Sequence, residues 1–170
     1  MDISLFIVSI SYILIAASWF TIPLRRKRSL NESGKIILGF PKKNNKFVIF
    51  VEILSVFLVT ILFFIRYGAF VSVVLCGCGV LGAWIVVGEA ALGKYYGLYE
   101  NGIIAVGKYI PYDDIMTFPV LNLPKNEQLN HPQNVLVIAS RRYGNVEIAF
   151  ESDEVCSEVI STLRKMHIIK

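Results

Sequence analysis

Three long stretches that are almost free of charge constrain this chain more than any other feature. They cover residues 3–24, 47–65 and 69–88, and Glu52 is the only charged residue within them. A helix rises about 1.5 Å per residue, so about 20 apolar residues cross the roughly 30 Å hydrocarbon layer of a bilayer. A chain of 170 residues is too short to bury three such helices in one soluble core. The sequence therefore predicts three transmembrane helices.

The overall composition agrees with a membrane protein. Apolar residue types make up 55% of the chain and charged types 18%, whereas soluble domains have about 45–50% and about 25%. This argues against a disordered chain and against an ordinary soluble enzyme. The first stretch is expected to remain uncleaved, because its leader Met1-Asp2 is acidic and its apolar run exceeds the roughly 7–15 residues of a signal peptide.

The distribution of basic residues predicts the orientation in the membrane. The loop 25–46 carries eight basic residues and one acidic residue, Glu32. Basic residues in short loops favour the cytoplasmic side, so this loop and everything after Lys94 are expected inside, with the N-terminus outside. Trp19 and Trp84 then fall near the cytoplasmic interface. The run at the start of the loop is chiefly a topology signal and also a candidate for contact with anionic lipid: Arg25, Arg26, Lys27 and Arg28.

The second half of the chain, residues 95–170, differs from the first half. It has 7 basic and 9 acidic residues, a net charge of −2, and a nucleic-acid-binding domain usually shows clustered Lys and Arg instead. A nucleic-acid partner is therefore not expected.

The second half also has the pattern of short strands followed by a helix. Asn101-Gly102 predicts a type I′ hairpin turn, and Ser152 is a predicted N-cap for a final helix. Short apolar runs predict five strands: 95–100, 103–108, 115–121, 135–140 and 146–150. The sequence predicts a small α+β domain, with a five-stranded antiparallel sheet and one C-terminal helix.

The stretch GLYENGIIAVGKYIPYDDI (97–115) and the elements after it resemble small bacterial pleckstrin-homology-like (PH-like) domains. The wording of this stretch is similar in particular to one family of bacterial membrane-anchored proteins of unknown function. The resemblance implies a PH-like fold tethered to transmembrane helices in the bacterial inner membrane, and it implies no reaction. Phosphoinositide-binding PH domains have a basic loop after the first strand. Here Glu100 precedes the turn and no base is present, so inositol-phosphate binding is not implied.

Three groups of residues are candidates for function. Glu52 is a carboxylate within a span, and such residues are functional candidates, although Glu52 lies near the cytoplasmic end of the span and could be structural. Arg141-Arg142 is either a solvated turn or a contact for anionic headgroups. Gly79 and Ala83 have the small-xxx-small spacing that lets helices approach closely. They could serve packing within the three-helix unit, a homodimer or a partner helix.

No catalytic, metal-binding or cofactor-binding pattern emerges. His131 and His167 have no Cys, Asp or Glu at ligand spacing, and Cys76 and Cys78 are two apart, so they do not share a helix face. The chain is therefore expected to be a membrane-anchored binding or accessory module rather than an enzyme. Its domain would present an edge strand or the loop 122–134 to a protein partner. The alternatives are a small membrane enzyme or transport subunit using Glu52, and a structural subunit that packs through its third helix.

Overall fold

The computed structural model describes the backbone of residues 3–41, 46–64, 68–128 and 131–169. The chain divides into two compact units, each made from two separate segments. The helical unit comprises Met1–Lys27 and Asn44–Ala91, and the β-unit comprises Arg28–Lys43 and Leu92–Lys170. The β-unit is therefore discontinuous in sequence, whereas the sequence predicted one continuous domain over residues 95–170.

Three long helices account for the apolar stretches: α1 (Ile3–Ser33), α2 (Lys46–Phe64) and α3 (Ala69–Leu92). Helix α1 continues past the predicted end at Leu24 because residues 25–33 contain no glycine or proline, and it stops before Gly34, which has a φ of 78°. Among the described residues, two helices are long and apolar enough to cross a membrane, Leu5–Ser33 and Phe70–Leu92. A third membrane span, over 47–65, stays a prediction.

The helical unit has a small apolar core and an apolar exterior. Val8, Val59 and Cys76 are buried in the core. Large apolar side chains such as Phe20, Phe70 and Ile85 are exposed on the outside of this unit. A soluble protein seldom exposes so many large apolar groups together, whereas a lipid environment favours them.

Several hydroxyl groups of the helical unit form hydrogen bonds within that unit. The Tyr12 hydroxyl and the Thr60 hydroxyl are 2.8 Å apart and share a hydrogen bond. Each of the following hydroxyls donates to a carbonyl of its own helix: Ser11, Ser18 and Ser55.

The β-unit contains two antiparallel sheets rather than the predicted single sheet of five strands. The four-stranded sheet has the order β1-β2-β3-β4 and the three-stranded sheet the order β5-β6-β7. The strands are β1 (Ile36–Gly39), β2 (Gly97–Tyr99), β3 (Gly102–Ala105), β4 (Lys108–Pro111), β5 (Ile115–Thr117), β6 (Val135–Ser140) and β7 (Gly144–Ala149). The prediction of one sheet was wrong because a 3₁₀ turn at Tyr112–Asp114 separates β4 from β5.

Strand β1 lies outside the predicted domain and was not predicted at all. It pairs antiparallel with β2, with Ile36 opposite Tyr99 and Gly39 opposite Gly97. The next residue, Phe40, is buried, and its ring centroid lies 5.1 Å from that of Phe150 in an edge-to-face arrangement. The apolar run IILGF over 36–40 was the available signal. The basic residues on both sides of this run favour the interpretation of 25–46 as a loop.

The hairpin between β2 and β3 is confirmed, but its turn differs from the predicted type I′ turn. Asn101 and Gly102 are not among the positive-φ residues of the described chain, whereas Val106 and Gly107 have φ values of 51° and 65°. A two-residue turn at Val106-Gly107 therefore splits the predicted strand 103–108 into β3 and β4. Asn101 instead donates its backbone N–H to the Ser33 carbonyl and its side-chain N–H to the Glu32 carbonyl.

Helix α5 (Asp153–Lys165) closes the core of the β-unit. The predicted N-cap is confirmed, since the Ser152 hydroxyl accepts a hydrogen bond from the Val155 N–H. Its buried face packs against side chains of both sheets and comprises Cys156, Val159 and Leu163. Burial raises the pKa of the Cys156 thiol to about 11, so this thiol stays protonated at neutral pH. A short helix, α4 (Lys125–Gln128), precedes β6.

Residues 95–170 are expected not to fold alone, because they lack β1 and the Phe40 ring. Removing Phe40 leaves a cavity against Phe150, and such a loss costs about 3–5 kcal/mol. In the full chain, Phe40→Ala should lower the unfolding free energy of the β-unit by that amount in a denaturant titration. Phe50→Ala, at an exposed position on α2, is the control and should leave the β-unit unchanged. Equal effects of the two substitutions would contradict the assignment of β1 to this core.

Candidate functional site

A buried hydrogen-bond network shapes the turn between β6 and β7. The Ser140 hydroxyl, which is 1% exposed, donates to Asp114 Oδ2 at 2.6 Å. It also accepts hydrogen bonds from the backbone N–H groups of Arg142 and Tyr143. The Arg141 N–H donates to the Asp114 carbonyl at 2.9 Å. This network fixes the backbone of the turn and leaves the side chains of Arg141 and Arg142 exposed.

The turn between β3 and β4 lies next to the β6–β7 turn. Lys108 directly follows the Val106-Gly107 turn, and its Nζ lies 5.1 Å from the centroid of the Tyr143 ring. A Lys ammonium over an aromatic face at this distance is attracted by the ring. Lys108, Arg141 and Arg142 therefore form a basic surface on the β-unit, which we name the basic turn surface.

The outer edge of β7 is a second exposed feature of the β-unit. Strand β7 pairs with β6 over six residues, from Val135–Ala149 to Ser140–Gly144, and forms one edge of the three-stranded sheet. Its side chains alternate between exposed and buried, with Val146 and Ile148 inside and Glu147 outside. An edge strand of this length presents main-chain N–H and C=O groups to which another strand can be added.

The predicted polar loop 122–134 is held by its own hydrogen bonds in the part that the structure describes. The Gln128 side-chain amide donates to the Leu121 and Leu123 carbonyls, at 3.1 and 2.6 Å. The Gln133 amide donates to the Gln128 carbonyl. Residues 129 and 130 lie outside the described residues. The described part of the loop is therefore held by local hydrogen bonds.

The basic run at the start of the predicted loop is part of helix α1, and its members make different contacts. The Arg25 guanidinium lies 4.5 Å from the Trp84 ring centroid, and Arg26 Nε donates to the Ala91 carbonyl at 3.2 Å, near the end of α3. Arg28 pairs with Glu32 at 2.9 Å, on the exposed surface of the helix. Lys27 is exposed. Arg25 and Arg26 thus connect α1 to α3, and the sequence did not predict this packing role.

Glu52, the predicted intramembrane candidate, belongs to α2. Its side chain lies outside the described residues, so its role as a transport or catalytic group stays a prediction.

Gly79 and Ala83 lie inside the helical unit. A Cβ atom added to Gly79 would lie 2.6 Å from Val59 Cγ2 and 3.1 Å from the Ser55 carbonyl oxygen, so α3 contacts α2 closely at this point. Gly82 contacts the Ser55 side chain in the same way. Ala83 is 4% exposed. These residues pack within the helical unit, which is one of the roles predicted for Gly79 and Ala83. The structural-subunit alternative stays a prediction.

Within residues 3–41, 46–64, 68–128 and 131–169, no group of three or more His, Cys, Asp and Glu side chains could hold a metal ion. Comparison with protein-family models, with curated proteins and with solved structures finds no match to this chain.

Sequence reasoning found Arg141 and Arg142 but missed the neighbouring turn that completes the basic turn surface. Gly107 was the only local signal for that turn, because Val-Gly is not a preferred pair for it. The Asp114–Ser140 hydrogen bond was also missed, since the two residues are distant in sequence.

Asp114→Ala should destabilise the β-unit, because it removes the acceptor of the buried Ser140 hydroxyl. Leaving a buried polar group unsatisfied costs about 1–3 kcal/mol. Asp113→Ala is the matched control. It replaces the exposed neighbour and should change the unfolding free energy by less than about 0.5 kcal/mol. Thermal and denaturant unfolding of the full chain measure the stability of both variants. A smaller loss of unfolding free energy for Asp114→Ala than for Asp113→Ala would contradict the role of the network.

Gly82→Leu should destabilise the helical unit, because its side chain would overlap the Ser55 hydroxyl. Overpacking typically costs about 1–3 kcal/mol. Gly77→Leu is the control, since a Cβ atom at Gly77 meets nothing within 4 Å. Unfolding in increasing fractions of a denaturing detergent gives the comparison. If both variants unfold like the parent chain, close contact at Gly82 is not required.

Proposed function

We propose that this chain is an integral protein of the bacterial inner membrane, whose β-unit is a cytoplasmic PH-like module that binds a protein partner or a membrane complex. The N-terminus would lie outside, and the basic segment 25–46 would lie on the cytoplasmic side. The two membrane-length helices and the exposed apolar exterior of the helical unit support the membrane location. Two antiparallel sheets followed by a C-terminal helix support a PH-like module.

The observation that carries the binding role is the open edge of β7. The β-unit has its own core, which gives a rigid support to this edge. The edge has six residues in register with β6, which is enough for a partner strand to add several main-chain hydrogen bonds.

Gentle-detergent purification of the full chain through a C-terminal tag, with mass spectrometry of everything that co-elutes, is the first test. We expect a protein in a fixed ratio to this chain. Recovery should fall at least about tenfold in the double variant Asn145→Lys, Ala149→Lys, because lysines on an edge strand oppose strand addition and a tenfold change corresponds to about 1.4 kcal/mol.

The matched control is the double variant Ser157→Lys, Ser161→Lys, which adds the same charge at exposed positions of α5. Recovery of the partner should not change in this control. An equal loss in both variants would show that added charge, and not the β7 edge, controls binding. A chain that elutes with bulk lipid alone would contradict a stable complex.

A further inference from the structure

Acidic residues of the β-unit are concentrated in one stretch of the chain. Residues 143–163 include strand β7 and most of helix α5, and they contain no Lys or Arg. Five of the nine acidic residues in 95–170 lie in this stretch, and all five are exposed: Glu147, Glu151, Asp153, Glu154 and Glu158. The outer edge of β7 therefore lies within a strongly acidic stretch, which we name the acidic stretch.

Glu147 lies in the middle of β7, on the exposed face of the strand. The residue directly opposite it on β6 is Val137, so the sheet gives its carboxylate no basic neighbour. In the part of the chain that the structure describes, no Lys or Arg side chain forms a salt bridge with Glu147. Opposite charges at facing positions stabilise a pair of strands, and like charges destabilise it. The edge therefore favours a Lys or Arg opposite Glu147 on an added strand.

The neighbours of Glu147 determine the rest of the pattern that an added strand needs. Val146 and Ile148 are each 3% exposed and belong to the core of the β-unit. Successive side chains of a strand point to opposite faces of its sheet, so every second side chain of an added strand would lie beside these two residues. The alternate side chains would lie beside Glu147, and the exposed Glu151 follows two residues after the end of β7. A complementary strand thus alternates apolar residues with basic ones.

Basic segments have a characteristic location in membrane proteins. The cytoplasmic segments that adjoin membrane-spanning helices carry an excess of Lys and Arg. The proposed function assigns the β-unit to the cytoplasm, on a chain that its helices hold in the membrane. Tethering of both partners to one membrane raises the effective concentration of each for the other, and opposite charges speed their association.

We propose that the partner strand at β7 is a basic segment adjoining a membrane-spanning helix of another integral membrane protein, with Lys or Arg side chains opposite Glu147 and Glu151. This inference rests on the proposed function, because it requires β7 to accept a strand in the cytoplasm. It adds the charge pattern of the partner and its place in the membrane. Arg141 and Arg142 precede β7, so the basic residues of the partner lie toward Glu151.

Two fluorescent peptides test the charge preference of the full chain. Their sequences are KVKVKV and EVEVEV, and fluorescence anisotropy measures the affinity of each for the purified chain in phosphatidylcholine nanodiscs, whose lipid has no net charge. At low salt we expect KVKVKV to bind at least about tenfold more tightly than EVEVEV, because several facing charges contribute together. The two affinities should approach each other at high salt, since salt screens exposed charges.

Substitutions that remove charge but leave the main chain of β7 unchanged test the residues. Glu147→Gln should reduce the preference for KVKVKV at least about threefold, and addition of Glu151→Gln should nearly abolish it. Asp113→Asn is the matched control, since it removes one negative charge from an exposed position outside the acidic stretch, and it should leave the preference unchanged.

The peptides also separate the two proposals. Equal binding of both peptides by the parent chain would show that β7 accepts a strand and that the inferred charge pattern is wrong. Binding of neither peptide would contradict strand addition itself, and with it the proposed function. An equal loss of preference in Glu147→Gln and Asp113→Asn would show that net charge, and not the β7 edge, selects the peptide.

Zero-length cross-linking tests the location of the natural partner segment. A carbodiimide, which joins carboxylates to lysine amines in direct contact, is added to cell membranes that contain the full chain. We expect Glu147 or Glu151 to be joined to a lysine within about 20 residues of a membrane-spanning helix of another protein. Cross-links from these two residues to a soluble protein or to a second copy of this chain would overturn the proposal. Cross-links confined to other carboxylates of the chain would also overturn it.

Discussion

The pairing of β1 with β2 is the interaction on which the rest of the β-unit depends. Gly39 and Gly97 are direct partners, although helices α2 and α3 lie between them in sequence. The entropic cost of closing a loop rises only slowly with its length, so an insertion of two helices between adjacent strands is tolerated. Phe40 then reaches the common core and packs on Phe150, which places an aromatic ring from the first segment of the β-unit against the end of β7.

The same first segment brings the end of α1 into the β-unit. The last carbonyls of a helix have no partner within the helix, and in α1 the carbonyls of Glu32 and Ser33 accept hydrogen bonds from the β2–β3 hairpin and from β4. The Glu32 carbonyl accepts from the Tyr109 hydroxyl at 3.0 Å and from the Asn101 side chain. Partial burial raises the pKa of the Tyr109 hydroxyl, so it remains a hydrogen-bond donor at neutral pH. The backbone N–H of Lys35 donates to the Glu100 carboxylate.

The sequence predicted the elements that depend on long or strongly patterned segments. The apolar helices follow from charge-free length, and α5 follows from its N-cap and its apolar spacing. It did not predict β1, because four residues in a basic segment carry too little pattern to indicate a strand. It also misplaced a turn. Asn101-Gly102 has the composition of a type I′ turn, but the hydrogen bonds from Asn101 to the end of α1 determine its conformation. Tertiary contacts of that kind are not visible in local composition.

The same limit applies to the residues of the candidate surfaces. Arg141 and Arg142 were evident from their charge, whereas their neighbourhood with Lys108 depends on how two hairpins pack.

The discontinuous β-unit has a consequence for biosynthesis. When the ribosome has made β1, its partner strand does not yet exist, and Ile36 and Ile37 have no sheet to join. The sheet can assemble only after α2, α3 and β2 have been translated, so β1 must wait through the synthesis of both helices. Folding of this unit is therefore coupled to completion of the helical hairpin, and a nascent chain stalled within α3 would carry an unpaired apolar strand of the kind that chaperones recognise.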